Sequence, residues 1–233
     1  MDWKLFGLLC GIGIVLYILY LFYSQREFAY LSILLYRQGD GDAYLKELDT
    51  VRAKLFFSRK IRLLMSIDAY MLKEDQAALE KIFAQVMHTK LRNGDRFLVL
   101  QKEMVFQIDQ GELRRAEEID RQMHELYQKM TEKQQKIHRE ALKEEEYLYA
   151  IHVRKDGKYA AELLEKAHAL KETLPAGVCF YRSAQSYLLQ DNKKAARKAL
   201  EEAEKKLRDT PVHARIAAIL KEPDLQGLCK QRI

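Results

Sequence analysis

The chain has 233 residues, of which 40 are basic and 34 acidic, for a formal charge of +6. The two signs are mixed along the whole length, which reads as solvated helix faces and is too mild a bias to imply a nucleic-acid partner. Only 3 Pro and 10 Gly leave little room for β-hairpins or Pro-rich linkers, whereas Leu, Ala, Glu, Lys, Arg and Gln abound, as in helical proteins. The three cysteines, Cys10, Cys179 and Cys229, include no CxxC pair. That excludes a disulfide framework and, by spacing, a zinc site.

No charge falls between Leu5 and Tyr23. A helix of those 19 residues would be about 28 Å long, close to the ~30 Å hydrocarbon core of a bilayer. Trp3 and Phe6 stand at one end and Tyr20, Phe22 and Tyr23 at the other, in the manner of an aromatic belt. The hydropathy therefore predicts a single-pass transmembrane helix, with residues 1–24 as an N-terminal membrane anchor in the bilayer. A cleaved signal peptide would need small residues where the run ends in Leu21, Phe22 and Tyr23. Counting only Lys and Arg, Lys4 stands against Arg26 and Arg37, which puts the rest of the chain on the cytoplasmic side. Gly7 and Gly11 form a GxxxG, a contact through which two such helices would weakly homo-oligomerise, although glycine is also simply common in membrane helices.

Beyond the anchor the pattern is helix, break, helix. Breaks fall where Gly, Asp and Asn gather, at 39–42, 73–75, 93–95, 110–111, 156–157 and 191–192. Pro175 and Pro211 add two more. No stretch alternates apolar and polar residues long enough for a strand. No Pro or Gly interrupts the chain between Tyr23 and Gly39, so one helix should run on into the first hairpin. The breaks predict five antiparallel hairpins near 24–56, 59–91, 95–130, 133–173 and 176–208, an α-solenoid over 25–208 closed by capping helices over 209–233.

The last two hairpins share a pattern. In the fifth, Phe180, Ser183, Ala184 and Tyr187 lie on the first helix, and Ala196, Leu200 and Ala203 on the second. In the fourth, Tyr147, Leu148 and Ile151 precede a Gly157-Lys158-Tyr159 turn, followed by Ala160, Leu164 and Ala167. Small side chains at the crossing, with bulky ones on either side, let two helices pack closely. The pattern resembles the tetratricopeptide repeat, which implies an all-α solenoid and a groove that holds a peptide or protein partner. The family's Trp and Leu-Gly pair are absent, so related helical-hairpin solenoids and a plain αα-bundle stay open.

No catalytic, cofactor or metal residues emerge. His124-Glu125 begins a zincin motif, but Gln128 stands where the second His belongs. Neither GxSxG nor a serine–lysine pair suggests a hydrolase. Cys179, with no His near it in sequence, reads as a structural thiol. The run Glu144-Glu145-Glu146 points in three directions on a helix and reads as a solvated face. One basic cluster stands out: Arg52, Lys54, Arg59, Lys60 and Arg62. These expectations amount to a membrane-anchored protein–protein interaction scaffold, not an enzyme. The alternative is a membrane-surface module that uses the basic cluster on anionic lipid.

Overall fold

A computed structural model describes residues 3–229. It is 80% helix, with no strand among the described residues. The chain divides between Arg92 and Asn93 into two compact units, and each is described by itself.

The first unit begins with α1 (Trp3–Ser32), which runs into a π-helical turn (Ile33–Arg37) before Gly39 adopts φ +67° and ends it. The uninterrupted helix expected up to Gly39 is present. Then come α2 (Gly41–Leu48), α3 (Val51–Phe56), α4 (Arg59–Leu72) and α5 (Gln76–Met87). Each starts at a side-chain cap: Asp40, Thr50, Ser58 and Asp75 accept from the amides of Ala43, Ala53, Ile61 and Ala78. Such caps satisfy otherwise unpaired N–H groups and fix where a helix begins. Because Thr50 caps a new helix at Val51, the segment expected as one hairpin over 24–56 is instead the end of α1 followed by two short helices. Leu31, Leu34 and Leu35 pack there with Tyr44, Leu48, Ala53, Phe57 and Ala69.

Among the described residues no helix is long and apolar enough to cross a membrane. The described side chains of α1 give an uncharged stretch only from Cys10 to Tyr23. Those residues rise about 21 Å, against a hydrocarbon core of ~30 Å, and Arg26 and Glu27 follow on the same helix. The transmembrane helix expected over 1–24, and the single-pass localisation with a cytoplasmic domain that rested on it, are corrected accordingly. The side chains of residues 4–9, Gly7 among them, lie outside the described residues. Nothing packs within 4 Å of the Cβ position at Gly11.

The second unit comprises α6 (Asn93–Gln110), α7 (Leu113–Gln128), α8 (Glu132–Leu148), a π-helical turn (Tyr149–Arg154), α9 (Ala160–Ala169), α10 (Thr173–Leu189), α11 (Lys193–Lys206) and α12 (His213–Lys221). Helices α6 and α7 pair around Phe97, Leu100, Met104, Ile119 and Met123. Gly111 makes the turn between them at φ +77°. Helix α8 opens on a capping box in which Thr131 and Gln134 each accept from the other's backbone amide. Helix α10 packs against both α9 and α11. Ala184 and Ala196 are fully buried in one cluster with Phe180, Leu200, Ala203 and Ala167, with Tyr187 half-buried against it. Ser183 Oγ donates to the carbonyl of Ala160 at 2.8 Å. Tyr147 and Ile151 pack on Leu163. Leu163 is fully buried there, and the expected Leu164 packs, partly buried, against the cluster around α10. Helix α12 and the turn after it close the cluster with Ile216, Ile219, Leu225 and Leu228.

Gly157 sits where α9's approach meets α10, and a Cβ there would lie 2.2 Å from the backbone oxygen of Ser186. Gly157→Ala should therefore destabilise by about 1–3 kcal/mol, since backbone must move to admit the methyl. Gly111→Asn, with open space around it and a left-handed φ that asparagine tolerates, should cost less than about 1 kcal/mol. Urea midpoints at unchanged slope measure both.

Candidate functional site

The second unit holds a cleft of about 190 Å³ lined by Asp120, His124, Glu146, Tyr149, Arg154, Lys158 and Tyr159. Asp120 and His124 are four apart on α7 and share a face. Glu146 comes from the last turn of α8, Tyr149 and Arg154 from the π-helical turn, and Lys158 and Tyr159 from the approach to α9. The π-helical turn carries one extra residue per hydrogen bond, which re-aims the side chains that follow it, and such turns recur at functional sites. Lys155 at φ 54° then reverses the chain. The Asp156 amide donates to the Ala150 carbonyl at 2.8 Å, and Asp156 Oδ1 accepts from the Lys158 amide at 2.9 Å, so Arg154 and Lys158 are held on either side of a closed turn.

Cations and aromatic faces alternate along this wall. The Arg154 guanidinium lies 4.9 Å from the centre of the Tyr149 ring, and the Lys158 ammonium 4.6 Å from that of Tyr159. The Lys143 ammonium lies 4.4 Å from the centre of the same Tyr159 ring. Ring faces attract such cations. The acids are already engaged. Glu146 Oε2 accepts from the Tyr159 hydroxyl at 3.2 Å and pairs with Lys143 at 3.3 Å. Asp120 Oδ1 lies 3.6 Å from His124 Nε2. Burial pushes the Asp120 carboxyl up, while His124 and Arg154 pull it back. The cleft thus presents two ring-supported cations beside partly neutralised acids, a surface suited to charged and aromatic side chains of a partner.

An ion ladder runs alongside. Glu144 on α8 pairs with Lys166 on α9 at 2.8 Å and with Arg182 on α10, and Lys166 also reaches Glu140 at 3.2 Å. Tyr147 donates its hydroxyl to Glu162 at 2.9 Å. The run Glu144-Glu145-Glu146 does point in three directions, but it is no solvated face: Glu144 ties three helices, Glu145 is buried and Glu146 lines the cleft.

The basic cluster of the first unit is largely neutralised in place. Arg52 pairs with Glu27 at 2.7 Å and Glu47 at 2.8 Å, and Lys54 with Asp49 at 2.7 Å. Arg62 donates to the carbonyls of Phe57 and Leu48 at 3.3 and 3.2 Å. Arg59 is exposed and Lys60 half-buried. The acids that interleave these cations come from elsewhere in the chain, so no open basic patch results. The histidines are dispersed. His124 lines the cleft, His138 packs 5.1 Å from the Phe97 ring, His168 5.0 Å from Phe180, and His152 is buried in the π-helical turn. Cys179 is buried, and burial pushes its thiol up, away from the thiolate a nucleophile requires. Among the described residues no group of three or more His, Cys, Asp and Glu is placed to hold a metal ion.

Sequence reasoning passed over Asp120, Tyr149, Arg154 and Glu27. The i, i+4 pair Asp120 and His124 was the one local signal available; the rest is assembled by the π-helical turn and by helix packing. No protein-family model matches the chain, and no curated protein or solved structure is significantly similar to it.

Burial pushes Glu144 up, yet Arg182 and Lys166 outweigh it and hold the carboxyl below its ordinary 4.5. Glu144→Gln should therefore lower stability at pH 7 by about 1–3 kcal/mol, because Arg182 and Lys166 lose a charged partner. A depressed carboxyl stabilises above its unfolded value and loses that contribution as pH falls through its folded value. The gap between parent and variant in urea unfolding should accordingly be full at neutral pH and narrow below pH 4.5.

Proposed function

We propose that this protein is a protein–protein interaction scaffold whose helical hairpins resemble tetratricopeptide repeats, and that it binds a peptide or protein partner without catalysing a reaction. The observation that carries this reading is the cleft between α7, the end of α8 and the π-helical turn with the segment after it, where Arg154 and Lys158 rest on tyrosine faces at an open surface. Such a wall offers cation, ring and carboxylate contacts to an extended segment, which is how stacked helical hairpins recognise partners. The close packing of α10 with α9 and α11 supports it, since paired helices with small residues at their contacts are the pattern that the resemblance rests on. The resemblance supplies the functional class; the residues of the cleft supply the surface.

Crosslinking capture by the full chain tests the reading. Arg154 and Lys158 are exposed, so Arg154→Glu together with Lys158→Glu should leave the helical content and unfolding midpoint unchanged. The same pair should reduce recovery of the captured partner at least tenfold, about 1.4 kcal/mol of binding. Undiminished capture by the double variant would remove this cleft as the binding surface.

A further inference from the structure

The segment after α12 lies across α10. Tyr181 and Gln185 stand four apart on that helix and share a face, and both are buried, at 0% and 1% exposure. The Leu228 carbonyl accepts from Gln185 Nε2 at 2.9 Å and from the Tyr181 hydroxyl at 3.4 Å. The Cys229 thiol reaches the Gln185 backbone carbonyl at 3.8 Å. Leu225 and Leu228 are fully buried in the same cluster as Tyr181. A glutamine amide is costly to bury unless an acceptor meets it, so this face is suited to a backbone carbonyl accompanied by leucine side chains.

The segment is held differently along its length. Arg197 donates to the carbonyls of Leu220 and Glu222 at 2.7 and 2.8 Å, which anchors the end of α12. Glu222 Oε2 accepts from the Gly227 amide at 2.8 Å, which closes the segment into a turn. Between these two points Leu225 adopts φ 52°, a left-handed conformation that a bulky side chain keeps only where its surroundings hold it. The contacts with α10 supply that hold, and letting go of them would release the strain. Residues 223–229 belong to none of the helices, so they can leave α10 without unwinding one. What α10 grips is a main-chain carbonyl and two leucine side chains. None of these depends on the link through residues 223–224, so the same pattern on another chain meets the same donors.

We propose that the Tyr181–Gln185 face of α10 is a docking surface for a partner segment with leucines three apart, Leu-x-x-Leu, and that residues 225–229 occupy it as a displaceable plug. The surface shares no lining residue with the cleft at Arg154 and Lys158, and it stands whether or not that cleft binds a partner. Because the plug is tethered, it competes at an effective concentration on the order of millimolar, which a free segment has to match.

Alkylation of Cys229 in the full chain tests the assignment, followed site by site by mass spectrometry with the buried Cys179 as internal reference. Burial pushes the Cys229 thiol up, so uncovering it raises both its access and its thiolate fraction. The ligand used is a free peptide of residues 222–229 carrying Cys229→Ser. It should raise Cys229 alkylation saturably, by about fivefold or more with half-effect near millimolar peptide, and leave Cys179 unchanged. The same peptide with Leu225→Asp and Leu228→Asp should have no effect. Gln185→Leu in the protein should speed Cys229 alkylation without peptide and remove the response to it; if that variant fails to fold, the comparison of the two peptides decides. No response to the peptide, or an equal response to both peptides, overturns the proposal. So does Cys229 becoming reactive only together with Cys179, which would make residues 225–229 a fixed part of the core. A dimer that the peptide dissociates would assign the face to exchange between copies of this chain and overturn the partner assignment.

Discussion

The second unit depends on how closely α10 lies to its neighbours. Two helices can approach only as near as the side chains between them allow, and at α10 those are Ala184 and Ser183, met by Ala160 and Ala196. The short distance lets a hydroxyl bond directly to another helix's carbonyl, and it places Phe180, Leu200 and Leu163 in the gaps on either side. A larger residue at any of the small positions would push the helices apart and void those gaps. The same closeness leaves no space at Gly157, where the chain passes against the backbone of α10.

Polar residues reinforce the arrangement at its edge. Glu144, Lys166 and Arg182 join α8, α9 and α10, beside the edge-to-face contact of Tyr147 with Tyr159. Such partly buried groups stabilise only as a set, because removing one leaves the others unpaired. The π-helical turn between α8 and α9 is the place where the regular packing gives way. One extra residue there turns Tyr149 and Arg154 towards the face that α7 already lines with Asp120 and His124.

In the first unit, buried charge plays a comparable part. Arg52 is held by Glu27 from α1 and Glu47 from α2, so a residue that belongs to a basic run in the sequence becomes the centre of an acidic trio in space. Around it α1 shows apolar side chains on several sides, with Leu16, Tyr17 and Ile18 all more than half exposed. Hydropathy described that stretch well as a helix, and the helix does continue to the π-helical turn before Gly39. It overreached in making the stretch a span, since the described part is shorter than the hydrocarbon core.

What the sequence by itself determined was local. Periodicity and the scarcity of Pro and Gly specify an all-helical chain, and Gly39, Gly111, Asp75 and Asn192 mark ends and starts where the backbone needs a left-handed residue or a cap. The small residues of the 147–203 pattern, Ala160, Ala167, Ala184, Ala196 and Ala203, are all buried, because apolar residues three and four apart share the face that a helix turns to its neighbours. Tertiary structure alone decided the rest. Whether a charge is open or paired depends on partners far away along the chain, as Arg52 and Glu27 show. A π-helical turn leaves no signature at Tyr149–Arg154, because it arises from the competition between one extra residue and the packing on either side. The cleft of the second unit joins α7 residues to others about 20–40 positions later in the chain, a meeting that only helix packing creates.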